Sequence, residues 1–134
     1  MTRNEAREKI MQILYELDAS KALKEPEALE SAFALAQERL TGNHVGRAKD
    51  MLGSIIDNLE SIDATINSCS TGWKTGRMPK VDLAIMRQAV CEIMYCDDVP
   101  APVAVNEAIN LAKKFSTDKS AGFIHGVLGA VSKL

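Results

Sequence analysis

The chain has 134 residues, of which 46% are hydrophobic, 25% charged and only 4% aromatic, and its formal net charge is −2. That suits one domain with its own core, built from Leu, Ile, Val, Met and Ala rather than from rings, and it excludes a disordered chain. No apolar run reaches the ~20 residues of a membrane span and no signal-peptide stretch opens the sequence, so a cytoplasmic protein with no membrane partner is expected.

The first predicted helix opens at "TRNE", where Thr2 and Glu5 have capping-box spacing. It turns Ala6, Ile10, Ile13, Leu14 and Leu17 inward. A second helix begins near Pro26, a good first-turn residue, carries Leu29, Phe33, Ala36 and Leu40 inward, and stops at Gly42. From Asn43, the residues Val45, Ala48, Leu52, Ile55, Leu59, Ile62 and Ile66 recur three and four apart. This long helical stripe has two candidate breakpoints, Gly53 and Asn58.

"STGWKTGRMP" is the clearest loop, with glycines at 72 and 76 and Pro79 closing it. The following "KVDLAIMRQAVCEIMYC" is apolar almost all round, as expected of a helix buried in the middle of a bundle. After the "DDVPAP" break, Pro102 starts a helix with Val105, Ala108, Ile109 and Ala112 inward as far as Phe115. The last helix starts near Ser116 or Thr117 and buries Ile124, Val127, Leu128 and Val131. Gly122, Gly126, Gly129 and Ala130 form a small-residue strip along it. Mid-helix glycine costs up to about 1 kcal/mol, so the strip predicts a closely approaching helix backbone, or a ligand.

No window alternates as a strand does. The expectation is an all-α, compact bundle of about six or seven helices, one domain made of an N-terminal sub-bundle over about residues 1–70 and a C-terminal one over about 77–134.

Charge is unevenly spread. Residues 25–63 hold eight acids against three bases, whereas 64–96 and 99–134 each hold four bases against two acids. This mild basic excess falls short of a strong autonomous nucleic-acid binder. Cys69, Cys91 and Cys96 are odd in number and read as reduced, with no metal site and no cofactor. The terminal Ser-Lys-Leu matches a peroxisomal address but more simply ends a helix. There is no phosphate loop and no nucleophile with an evident base; His44 and His125 are isolated, and Asp97 and Asp98 suit a turn before proline. A binding protein is favoured over an enzyme.

Phe123 lies at the flank of the last helix's buried stripe, about 100° from Ile124, with Lys119 and Ser120 one turn back on its own side. A ring, a cation and a hydroxyl on one face suit either a peripheral core aromatic or a stacking platform for an unpaired base.

Three segments together resemble the NusB family of bacterial transcription antitermination factors: "AREKIMQILYELD" at 6–18, "WKTGRMPKVDLAIMRQAVCEI" at 73–93, and "DVPAPVAVNEAINLAKKFSTDKSAGFIHGVLGAV" at 98–131. The last is the most specific, since "DVP", "VAVNEAI", "LAKKFS" and "GVL" fall in family order and spacing. The resemblance implies two small helical bundles that bind the boxA element of ribosomal RNA leader transcripts with the ribosomal protein NusE, within an antitermination complex on RNA polymerase. Related domains also precede ribosomal RNA methyltransferases, but the free-standing form is expected here.

By the same resemblance Arg3 and Arg7, one turn apart, are the RNA-contacting arginines of the first helix. Glu5 and Glu8 dilute a cluster that is denser in the family. Tyr15, Lys80, Asp82, Arg87, Lys119, Ser120 and Phe123 match positions on or beside the RNA path. There Tyr15 and Phe123 offer rings for stacking, Asp82 accepts from base edges, and Arg87 pairs with phosphate or with Asp82. His125 stands where the family commonly has asparagine. The alternative is a protein-binding adaptor or homodimer whose RNA binding is weakened, which the net charge favours.

Overall fold

The computed structural model describes all 134 residues and contains seven α-helices and no strand. They fall into two units, Met1–Asn58 and Leu59–Leu134. No helix is long and apolar enough to cross a membrane.

The first unit holds α1 (Arg3–Ala19), α2 (Ala28–Arg39) and α3 (His44–Asp57). Both halves of the capping box form, with the Glu5 amide donating to the Thr2 hydroxyl at 3.1 Å and the Thr2 amide to the Glu5 carboxylate at 3.4 Å. Helix α2 starts two residues after Pro26, which lies in the preceding turn. It buries Ala28, Ala32 and Ala36, a row of small residues at i+4 spacing. Leu29 and Phe33 are half-buried, because they lap over Gly53 of α3, where a methyl group would stand 3.6 Å from Leu29 and 3.7 Å from Phe33. Glu16 of α1 and Arg39 of α2 form a forked pair. The Arg39 hydrogen bond holds the Glu16 carboxyl below the usual carboxylate range. Its small contribution, about 1 kcal/mol or less for an exposed pair, is present above that range and lost as pH falls through the lowered folded-state value.

The long stripe breaks at Asn58, not at Gly53. The Asn58 side-chain amide folds back to donate to the Ser54 carbonyl at 2.8 Å, as does its backbone N–H at 3.1 Å. That is the competition by which Asn ends helices.

The second unit holds α4 (Leu59–Cys69), a 3₁₀ turn at Thr75–Arg77, α5 (Lys80–Tyr95), α6 (Ala101–Phe115) and α7 (Asp118–Val131). The glycine-rich loop therefore runs inside this unit. Helix α5 packs against α4, α6 and α7 together. Every residue from Asp82 to Glu92 is consequently buried, as its all-round apolar sequence predicted.

Two sequence expectations are corrected here. Helix α6 buries Ala104, Ala108, Leu111 and Ala112, leaving Val105 and Ile109 half-buried. The alanines at i+4 spacing form its narrow seam, and the two bulkier side chains stand at its edge, lining a groove with His125 and Gly129 of α7. The glycine strip of α7 meets no close-packed helix of this chain. A methyl group at Gly122, Gly126 or Gly129 would find no atom within 4 Å, because these residues lie away from the stripe of Ala121, Ile124, Val127, Leu128 and Val131 that is buried.

Opposite outcomes are expected at two glycines. Gly126→Ala should raise the free energy of unfolding by about 0.5–1 kcal/mol, since an exposed helical alanine costs less entropy. Gly42 sits at φ 60° in a turn, and Gly42→Ala should lower stability by about 1 kcal/mol. Urea denaturation of both variants measures the difference.

Candidate nucleic-acid interface

In the second unit the starts of α5 and α7 come together. The Thr117 hydroxyl caps α7 by accepting from the Ser120 amide at 3.0 Å, which fixes the first turn. The Ser120 hydroxyl then donates to the Asp82 carboxylate at 2.7 Å. Asp82 lies in the first turn of α5, where the helix dipole favours an acid, and is 0% exposed. Its other carboxylate oxygen has no hydrogen-bond partner. Lys80 and Lys119, one on each first turn, are exposed. Each of these first turns also carries an acid, Asp82 on α5 and Asp118 on α7, so phosphate would be met by the two exposed lysines and the helix ends without a net positive charge.

Arg87 forks onto Asp63 of α4 at 2.9 and 2.8 Å and is only 3% exposed. Burial of Asp82 and Arg87 is the main departure from the picture of charged groups aimed at RNA. Arg87 is spent on Asp63 and one Asp82 oxygen on Ser120, because α5 is enclosed by three helices.

Phe123 is half-buried beside a cleft of about 550 Å³ lined by Thr71, Gly72, Trp73, Thr117, Lys119, Ser120 and Phe123. The Trp73 and Phe123 rings meet edge to face, with centroids 5.6 Å apart and planes at 69°. Lys119, Ser120 and Phe123 are thus brought to one opening, as their spacing predicted. Trp73 also lines this opening, although it is not among the residues that the sequence suggests for the site. Its signal was a large ring in a loop between two glycines, where no core stripe claims it.

In the first unit Arg3 is exposed and Tyr15 is 37% exposed, whereas Arg7 is buried to 8%. No group of His, Cys, Asp and Glu side chains is arranged to hold a metal ion. None of the three cysteines is in a disulfide.

The NusB family model matches residues 4–133. The chain is 39% identical over 132 residues to the transcription antitermination protein NusB of Natranaerobius thermophilus, covering 98% of this chain and 95% of that one. With the protein of the same name from Acetivibrio thermocellus it shares 40% identity over 134 residues, covering 100% and 90%. Among solved structures, T. maritima NusB superposes with a TM-score of 0.88 at 24% identity, over 99% of this chain and 92% of that one. NusB from a crystal structure of NusB and NusE in complex with double-stranded RNA gives 0.80 at 23% identity, over 99% and 98%. These structures carry the fold.

Asp63→Ala would leave the Arg87 guanidinium without its forked acceptor. It should cost about 3 kcal/mol of stability, in the range for breaking one side of a buried pair. Chemical denaturation followed by circular dichroism checks this; a loss below 1 kcal/mol would make the pair dispensable.

Proposed function

Because the chain belongs to the NusB family, we propose that it binds the boxA element of ribosomal RNA transcripts together with NusE and so supports processive transcription of ribosomal RNA genes. Family membership makes it a transcription antitermination factor and not an enzyme. The observation that carries the RNA reading is the cleft at the start of α7, where an exposed lysine, a hydroxyl and two aromatic rings share one opening. The fold shared with NusB from a complex of NusB, NusE and RNA supports it. The site of action is the cytoplasm, in the antitermination complex on RNA polymerase.

Each unit supplies its own contacts. In the first, Arg3 offers charge and Tyr15 a ring, while Arg7 is the more enclosed of the two arginines. In the second, Lys80 and Lys119 take phosphates, Ser120 reads an edge and Phe123 stacks. Asp82 and Arg87 serve this surface from beneath, Asp82 by setting Ser120 and Arg87 by tying α5 to α4. The adaptor or homodimer reading has in its favour the net charge of −2 and the burial of Arg7. Sizing the protein alone, with boxA RNA, and with NusE separates the two, since an adaptor would shift with NusE but not with RNA.

With about four phosphate contacts at roughly 0.7 released counterions each, log affinity should fall against log salt with a slope near −3. Lys119→Ala should flatten that slope by about 0.7. Phe123→Ala should cost about 1–3 kcal/mol of RNA affinity while losing less stability than the ~3–5 kcal/mol of a core phenylalanine. Titration and thermal unfolding of the same variant give both numbers. Lost stability with affinity intact would assign the ring to the core.

A further inference from the structure

We infer that Trp73 is an RNA-binding residue and that its corner with Phe123 receives one unpaired nucleobase. This rests on the RNA-binding reading above and adds to it a specific pocket and a residue that was not among the expected RNA-path positions.

Trp73 is the only tryptophan among six aromatic residues, yet it is 44% exposed. A ring of that size is ordinarily kept largely out of water. Its exposure does not come from a slack loop. The Ser70 hydroxyl donates to the Trp73 carbonyl. On the other side, Asn67 of α4 accepts from the Thr75 amide at 2.8 Å, donates to the Thr75 hydroxyl at 3.3 Å, and takes Lys74 Nζ on its carbonyl at 3.2 Å. Gly72, at φ 84°, makes a turn just before the ring that a side chain would strain. The backbone on both sides of Trp73 is thus tied down, so little ordering cost is left for binding.

The two rings stand at 69° and not parallel, which forms a corner. A planar base stacks on one face and sets its edge against the other ring. The polar rim matches the rest of a nucleotide. Lys119 stands for the phosphate. The Ser120 hydroxyl has its hydrogen committed to Asp82, so toward the cleft it can only accept. Thr117 Oγ1 accepts the Ser120 amide, which leaves its own hydrogen to donate. A donor and an acceptor side by side complement a Watson–Crick edge, and only an unpaired base has that edge free.

As the single tryptophan, Trp73 reports on the cleft through its own fluorescence. The probe is a boxA oligoribonucleotide, intact and as a series with an abasic ribose at one position at a time, titrated into the full chain with and without NusE. Intact RNA should quench the emission, and one abasic position should abolish the quenching. Trp73→Ala should weaken binding by about 5- to 100-fold without lowering the melting temperature, and Trp73→Phe should restore most of the affinity. The same abasic position should cost nothing further in Trp73→Ala. RNA that binds with emission unchanged, or binds Trp73→Ala as tightly as the unaltered chain, overturns the pocket and leaves the antitermination reading standing. Loss of NusE binding alone in Trp73→Ala overturns it in favour of a protein contact. No RNA binding by the unaltered chain, even with NusE, overturns both.

Discussion

Helix α5 is enclosed by α4, α6 and α7, yet the buried stretch from Asp82 to Glu92 includes four polar or charged residues, Asp82, Arg87, Gln88 and Glu92. Removing a charge from water costs several kcal/mol unless a partner replaces the hydration. The second unit is arranged around meeting that demand. Arg87 draws in Asp63 and so sets α4 against α5. Asp82 draws in Ser120 and so sets the start of α7 against the start of α5. Because Thr117 caps the same turn, the position of Lys119 and Phe123 follows from the partner found by a buried carboxylate. The surface is built from the inside outward.

This explains how much was legible in the sequence. Features decided within one or two turns could be read directly: the Thr2 and Glu5 box, the start of α7 at Thr117, and the burial of α5 from its lack of a polar face. Features decided by a partner helix could not. The α6 pattern pointed to Val105 and Ile109 as inward residues, but the narrow alanine seam prevailed over these bulkier side chains. Glycines at i+4 spacing look the same in sequence whether they face a helix or open space. Asp82 and Arg87 read as surface charges because their partners, Ser120 and Asp63, lie 38 and 24 residues away. For the candidate site, Lys119, Ser120 and Phe123 were legible as one helix face. Trp73 was not, because a loop ring declares its neighbour only when the chain folds back.

Charge is divided in a way that suits a mild binder. Of the sixteen Lys and Arg residues only Arg7 and Arg87 are buried, but eighteen acids outnumber them, so net charge gives no long-range pull toward a polyanion. Selectivity must then come from short-range features, a ring pair and fixed hydroxyls, more than from electrostatic attraction. Such a surface gains from a partner that adds phosphate contacts, as the NusE reading supposes.

The open glycine face of α7 has a dynamic consequence. Three glycines at which an added methyl would meet no atom within 4 Å lower the local helix stability without a compensating contact. Gly126 and Gly129 act on the middle and end of the helix, while Gly122, in its second turn, follows a first turn pinned by the Thr117 cap and by the Ser120 bond to Asp82. Amide exchange along α7 should therefore be graded, with the best protection at its entry and earlier opening toward Gly129. The half that bears the ring and the lysine is the rigid one, and the half that could yield lies beyond it.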